Sequence, residues 1–431
     1  MKFVSTRGQT VPTALSAALA AGLAPDGGLY VPERLPKFDI ADFAGTESLS
    51  DIGARLLAPF FEGDVLADEL PAICREAFDF PTPLVPLAEP GNHVLELFHG
   101  PTAAFKDIGA RFLAACLQRL QQDAARELTV LVATSGDTGA AVAAAFHRRP
   151  GLRVVVLYPD GHVSPRQAHQ LGAFGDNIAT LRVAGSFDDC QRLVKQALND
   201  VELHARLPLS SANSISLGRL LPQMTYYAQA SLRHWRERGE ALNFVVPTGN
   251  LGNALAAILA RAIGLPIGRI ALATNDNRVL ADFFAGGDYS PRASLATLAN
   301  AMDVGAPSNF ERLRWRYPED SQLRAEFEVQ AVSDAQIRAA IRSGHARFGK
   351  VFCPHTATAL HVLDSLRARG ETGAWALVAT AHPAKFESVV EPLLGESIPV
   401  PPALKALLAR PTQAEPLASD YGVFRQRLLA R

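Results

Sequence analysis

The spacing of apolar residues changes character along the chain. Over residues 1 to about 85 it follows a helical period after an early turn, and helices are expected near 13–22, 49–61 and 65–78. "FPTPLVPL" (80–87), with three prolines, breaks that period and marks a boundary. Beyond it the apolar residues gather in short runs: "LTVLVAT" (128–134), "LRVVVLYP" (152–159), "NIATLRV" (177–183), "LNFVVPTGN" (242–250), "RIALATN" (269–275) and "AWALVAT" (374–380). These read as buried strands that alternate with helical stretches, one of them near 164–173 and another opened by Ser186 as its cap. Such alternation predicts an α/β fold with mainly parallel sheets. The expected division is a mostly helical region over 1–85, α/β lobes over 86–220 and 221–395, and a wrapping tail over 396–431.

Composition narrows the class of protein. Hydrophobic residues make up 48% of the 431 and charged residues 20%, as in an ordinary soluble enzyme. A net charge of −1 with scattered Lys and Arg argues against a nucleic acid or an anionic membrane as main partner. The four cysteines, Cys74, Cys116, Cys190 and Cys353, form no CxxC pair, so reduced buried thiols and a cytoplasmic location are expected. "TALSAALAAGLA" (13–24) has the look of a signal-peptide core, but polar "STRGQT" precedes it and a turn-rich segment follows, so a surface helix is the better reading.

The candidate chemistry sits where strands end. "TSGDTG", "PTGNLGN" and "TAHPAK" each lead from a strand into a helix, the place where open α/β sheets collect anionic ligands on helix N–H groups. In "VVPTGNLGN" (245–253), Gly249 and Gly252 allow close backbone approach and Asn250 tolerates unusual dihedrals, although an ordinary turn would account for this loop taken alone. It has neither P-loop nor GxGxxG spacing, which disfavours ATP and dinucleotides. Ser135, Asp137 and Thr138 crowd one helix start where a single cap would do. In "SSANSISLGRLLPQ" (210–223), capping explains Ser216 and leaves Asn213, Ser214 and Arg219 for a second anion site. Finally, "ELFHGPTAAFKDIGARF" (96–112) puts Lys106 in a first helical turn, where the dipole disfavours its charge and lowers its pKa. A neutral amine is what imine formation and proton abstraction need, and the bland alternative is a solvated lysine paired with Asp107 or a nearby carboxylate.

Taken together, "GLAPDGGLYVPERLP", "LELFHGPTAAFKDIGARF", "LVATSGDTGAAVA", "VVVLYPDGHVSPRQ", "SANSISLGRLLPQ", "VPTGNLGNALA", "LANAMDVGAPSNFERL" and "TAHPAKF" make the chain resemble the long form of the threonine synthase family. These are fold-type II pyridoxal-phosphate (PLP) enzymes of the tryptophan synthase β type. Residues around 315–350 contribute little to the likeness. The resemblance implies conversion of O-phospho-L-homoserine and water to L-threonine and phosphate, by a monomer or homodimer. It implies Lys106 as the lysine that binds PLP covalently and shuttles protons. It implies Gly249, Asn250, Leu251, Gly252 and Asn253 as the cradle of the cofactor phosphate, and Thr380 as the hydroxyl at the pyridine nitrogen. Asp137 would lie near the cofactor's 3-oxygen, where a carboxylate beside a phenolate is repulsive unless one is protonated. Ser135, Thr138, Asn213, Ser214 and Arg219 would bind substrate phosphate and carboxylate, with Lys385 as a further phosphate contact. The rivals are a dehydratase or β-replacement enzyme of the same fold, which has no need of the second anion cluster, a non-catalytic phospho-ligand binder, and a nucleotide-binding protein, whose motifs are missing.

Overall fold

The computed structural model describes every residue of the chain except 123 and 431. Two sheets carry the architecture. The larger has six strands in the order Glu328–Ala331, Ile267–Thr274, Leu242–Pro247, Trp375–Ala379, Asn92–Glu96, Leu84–Pro86; only the last edge pairing is antiparallel. The smaller is wholly parallel, in the order Glu415–Ala418, Ile178–Ala184, Leu152–Pro159, Leu128–Ala133, Leu209–Ser211. Every residue of Leu128–Ala133 and of Trp375–Ala379 is buried. Strands covered by helices on both faces read as unbroken apolar runs, which is why these were visible in the sequence.

The sheets do not follow chain order. Asn92–Glu96 precedes the Lys106 segment yet pairs with Trp375–Ala379, in the sheet that also holds Leu242–Pro247. The C-terminal stretch is not a mere wrap: helix Pro402–Leu408, strand Glu415–Ala418 and helix Tyr421–Leu429 extend the smaller sheet. The first region is helical as expected, with Leu15–Ala21, Leu49–Leu57 and Leu70–Ala77, plus a short antiparallel pairing of Phe3–Ser5 with Tyr30–Pro32. "FPTPLVPL", read as a boundary, supplies the edge strand Leu84–Pro86, where a proline costs no ladder bond that matters. Ser186 caps Phe187–Asn199 by accepting from the Asp189 N–H. All four cysteines are buried free thiols. Among the described residues no helix is long and apolar enough to cross a membrane, and no His, Cys, Asp and Glu cluster could hold a metal ion.

Helix Lys106–Leu120 joins the halves. Its first turn is tied to the larger sheet, while its body packs on Asp137–Phe146, which follows strand Leu128–Ala133 of the smaller one. The loops after Leu128–Ala133 and Trp375–Ala379 therefore both reach Lys106, the first through Asp137 and the second through the Thr380 carbonyl bonded to Phe105, while the loop after Leu242–Pro247 is tied through Asn250 to Ser214.

Candidate active site

Lys106 is placed by a short backbone lacing. The Leu97 N–H donates to the Ala379 carbonyl (3.0 Å), Phe105 N–H to Thr380 (2.8 Å) and His382 N–H to Ala103 (3.0 Å). The helix starts one residue beyond Phe105, so the lysine stands beside Thr380. Its Nζ lies 4.4 Å from the Phe105 ring centroid and, among the described residues, has no hydrogen-bond or ion-pair partner. Asp107 is not that partner: it is buried and accepts from the Thr102 N–H (2.9 Å) and hydroxyl (2.7 Å). Burial lowers the Lys106 pKa to about 8, the Arg219 charge pushes the same way, and Asp137 opposes both. Desolvation is thus the leading cause, where the sequence pointed to the helix dipole. Apoprotein should capture an aldehyde with a rate that climbs through about pH 8, in place of the ordinary lysine value of 10.5; amine labelling against pH reads this directly.

The loop between strand Leu242–Pro247 and helix Gly252–Ala262 forms a nest of N–H groups. Among the described residues, none of the N–H groups of 249–253 donates to a protein acceptor. The left-handed residue is Leu251 (φ 63°), whereas the sequence favoured Asn250 for the unusual dihedral. A buried leucine held there costs about 1–2 kcal/mol and must be enforced by its surroundings. The enforcement is visible. Asn250 Nδ2 donates to Ser214 Oγ (2.6 Å), and Asn309 Nδ2 donates to the carbonyls of Asn250 (2.9 Å) and Ser214 (3.3 Å). Buried Arg312 in turn donates to Asn309 Oδ1 (2.7 Å) and to the carbonyls of Tyr30 and Ile215, and burial lowers its pKa to about 9. The two glycines differ. A Cβ on Gly249 would lie 2.7 Å from Met302 Cα, so the protein's own backbone demands glycine there. A Cβ on Gly252 would meet nothing nearer than Ser214 Cβ at 3.5 Å, at an ordinary φ. Nothing among the described residues requires that glycine; a ligand lying over it would.

The second cluster is partly spoken for. The Asn213 amide closes on Ala133, accepting from its N–H (3.2 Å) and donating to its carbonyl (2.8 Å), so it seals the end of the smaller sheet. Arg219 is 1% exposed and donates from Nη1 to the Ala212 carbonyl (2.6 Å), while its Nε has no acceptor. Among the described residues no carboxylate bonds it, and burial lowers its pKa to about 10. Ser216, expected to cap its helix, makes no such bond; its buried hydroxyl is left without a partner.

Lys385 and Asp137 form a buried ion pair. Lys385 sits in the tight turn Pro383–Phe386, ahead of the α-helix Glu387–Leu394. Its Nζ donates to Asp137 Oδ1 (2.8 Å) and to the Thr102 carbonyl (2.8 Å), and Gln167 Nε2 donates to the same carboxylate (3.0 Å). Burial raises the Asp137 pKa, but the Lys385 charge, then His355 and the hydrogen bonds of Lys385 and Gln167, outweigh it and hold the carboxyl below its usual range. The hydroxyls of Ser135, just before that helix start, and of Thr138, in its first turn beside Asp137, have no hydrogen-bond partner among the described residues. Thr380 is 7% exposed and bonds through its carbonyl to Phe105, which leaves its hydroxyl available. A cavity of about 570 Å³ adjoins Asn213, Asn250 and Ser308. Lys106 is not in its wall.

Several participants escaped the sequence reading. His355 opens helix Pro354–Ala368 and is 3% exposed. The strap Asn300–Met302 bonds to it through the Ala301 N–H, and Asn300 bonds to Gln167 (3.1 Å). Asn253 accepts both tyrosine hydroxyls, Tyr226 (2.5 Å) and Tyr227 (2.8 Å), leaving Nδ2 without an acceptor. The only sequence signal was polar residues at helix starts, "CPHTATAL" among them, and capping hides such residues among many.

The site thus holds an unpaired amine, a buried guanidinium without a carboxylate, a nest of free N–H groups, and orphaned donors on Asn253 and Arg219. Buried polar groups left unpaired cost about 1–3 kcal/mol each, so this set fits a bound anion that carries phosphate, and an aldehyde for the amine. PLP has both.

Comparison with known proteins agrees with that chemistry. The family model "Pyridoxal-phosphate dependent enzyme" matches residues 76–384, "Threonine synthase N terminus" residues 2–78, and "Threonine synthase, C-terminal" residues 356–426. The threonine synthases of Serratia marcescens and Escherichia coli are each 38% identical over 431 residues, covering 100% of this chain and 99% of the relative. The crystal structure of threonine synthase from Escherichia coli superposes with a TM-score of 0.93 at 37% identity, covering all of both chains. PLP-bound threonine synthase from Brucella melitensis gives 0.91 at 34% identity, covering 99% of this chain and 98% of that one. Maize serine racemase, at 19% identity, shares the fold alone. With its end-to-end match and its amine, nest and unpaired guanidinium in one site, the chain belongs to the threonine synthase family of pyridoxal-phosphate-dependent enzymes.

Proposed function

We propose that this chain converts O-phospho-L-homoserine and water to L-threonine and phosphate with PLP held at Lys106. The carrying observation is a set of donors unmatched among the described residues: Lys106 without a partner, Arg219 buried without a carboxylate, and free N–H groups over 249–253. A substrate and a cofactor that each bring a phosphate would supply the missing acceptors.

In this reading the backbone of Gly249, Asn250, Leu251, Gly252 and Asn253 holds the cofactor phosphate, and the Thr380 hydroxyl faces the pyridine nitrogen. When bound, PLP supplies an aldehyde for imine formation and a conjugated ring that spreads negative charge from Cα. Lys106 Nζ, neutral above about pH 8, takes the substrate's Cα proton and returns it at the end. It also serves proton transfers at Cβ and Cγ while the Cγ–O bond to phosphate breaks and water adds at Cβ. Arg219, with the hydroxyls of Ser135, Thr138 and Ser214, holds the substrate's phosphate and carboxylate, and charge gathering on the leaving phosphate meets a fixed cation. Asn213 acts by holding the Ala133 end of its strand. Lys385 neutralises Asp137, so that an electron-rich ligand oxygen can approach that carboxylate.

The test is a coupled assay of phosphate release and threonine formation from O-phospho-L-homoserine. Equal release of both products is expected; phosphate without threonine would mean an eliminating lyase instead. The phosphate nest has its own check. Gly252→Ala should leave the apoprotein at least as stable, because alanine lowers the entropy of the unfolded chain by about 0.4–1 kcal/mol and clashes with nothing, yet weaken PLP binding. Melting temperature and cofactor titration measure the two sides separately. We further read the chain as a cytoplasmic monomer or homodimer acting on small molecules and not on nucleic acid, in keeping with its net charge of −1 and its buried free thiols. Sedimentation velocity checks the assembly.

A further inference from the structure

His355 has one ring nitrogen accounted for and one that is not. Its Nε2 accepts the Ala301 N–H at 3.1 Å, which requires a lone pair on Nε2. The ring packs 4.9 Å from Phe386 and is 3% exposed, and its Nδ1 is buried with no partner. Burial lowers its pKa to about 4, with Lys106 and Lys385 pushing the same way and Asp137 opposing, so the ring is neutral near pH 7. A neutral imidazole whose Nε2 accepts carries its proton on Nδ1. The result is a buried N–H donor, held in one tautomer by the strap over the site and without an acceptor among the described residues.

Such a donor is costly unless something accepts from it. Resting on the function proposed above, we infer that His355 is a cofactor-positioning residue that donates its Nδ1–H to the phenolic oxygen of bound PLP. The cofactor offers three kinds of acceptor. Its phosphate oxygens are matched by the nest at 249–253 and its pyridine nitrogen by the Thr380 hydroxyl, which leaves the phenolic oxygen. In PLP that oxygen is on the ring carbon next to the one bearing the aldehyde that Lys106 takes up. The strap that holds His355 through the Ala301 N–H also reaches Asp137, by way of Asn300 Nδ2 on Gln167 Oε1 (3.1 Å) and Gln167 Nε2 on Asp137 Oδ1 (3.0 Å), so His355 belongs to the Asp137 side of the ring. The assignment also answers the repulsion between Asp137 and a phenolate. Lys385 already neutralises the carboxylate, and a neutral N–H donor stabilises the oxygen without adding another charge to a site rich in cations.

The experiment uses the full chain labelled with ¹⁵N-histidine, His355 being assigned by its loss in His355→Gln. At pH 7 the apoprotein should show His355 protonated on Nδ1, and that resonance should move when PLP is added. Glutamine keeps an acceptor for the Ala301 N–H and loses the donor, whereas His355→Asn keeps a donor near Nδ1 and loses the acceptor. His355→Gln should bind PLP roughly tenfold more weakly, with a displaced visible absorption band, and melt within about a degree of the parent as apoprotein. His355→Asn should retain the parent's absorption band. A proton on Nε2, an Nδ1 resonance that ignores PLP, or full affinity and an unchanged band in His355→Gln would overturn the inference. A parent chain that forms no Lys106-linked chromophore at all would instead overturn the reading on which it rests.

Discussion

Lys106→Ala should lower threonine formation by more than about 10³-fold and leave protein that no longer acquires a covalent visible chromophore with PLP. The size follows from losing two functions at once. Proton transfer by a positioned side chain is worth about 10²–10⁴-fold by itself, and the nucleophile that holds the cofactor disappears with it. Folding should survive, because the amine has no hydrogen bond or ion pair to lose, and removing a buried cation beside Arg219 relieves a like-charge repulsion. The sign of the pH effect makes a companion check. A lysine whose folded pKa is about 8 and unfolded value 10.5 penalises the folded apoprotein fully below pH 8, and the penalty fades as the pH climbs toward 10.5. The stability advantage of the alanine variant should therefore shrink over that window, as denaturant midpoints at pH 7.5 and pH 10 would show. Full activity in Lys106→Ala would remove the proposed centre.

The second large effect is on stability. Lys385 and Asp137 are a pair with side chains 0% and 6% exposed, 2.8 Å apart. Removing one charge from a buried pair strands the other, at a cost of about 3–5 kcal/mol, while replacing both with uncharged groups of similar size is often nearly neutral. Lys385→Met should thus destabilise strongly, and Asp137→Asn combined with Lys385→Met should recover most of the loss in urea unfolding. If Lys385→Met alone cost under about 1 kcal/mol, the two groups would be solvated and the site would not be the dry enclosure described. Acid should act alike on the parent. The Asp137 carboxyl is held below its ordinary 3.8, so its contribution is complete above that value and is lost only as the pH falls through the lowered one.

Much of the fold was legible because local rules and the global structure agree. Strands such as Leu128–Ala133 and Trp375–Ala379 are buried on both faces, and burial on both faces writes itself as a continuous apolar run. The loops at strand ends were legible for a related reason: backbone that must bare its N–H groups to a ligand uses Gly, Asn, Ser and Thr. Even so, the letters misassigned details. The left-handed residue is Leu251 and not Asn250, since strain there is imposed by Asn309 and Arg312 from across the fold and not by local preference. Ser216 was read as a cap and is an orphan hydroxyl instead.

By itself the sequence determined the class of the fold, the positions of the anion-binding loops and the singular lysine at a helix start, because each depends on residues adjacent along the chain. Tertiary structure alone decided that strand Asn92–Glu96 joins the larger sheet, that Lys385 neutralises Asp137, that burial and Arg219 set the Lys106 pKa, and that His355 presents Nδ1–H to the site. These depend on groups far apart in sequence being brought into one dry space. Their energies come from lost hydration and from charges at short range, quantities that have no value until the chain has closed around them.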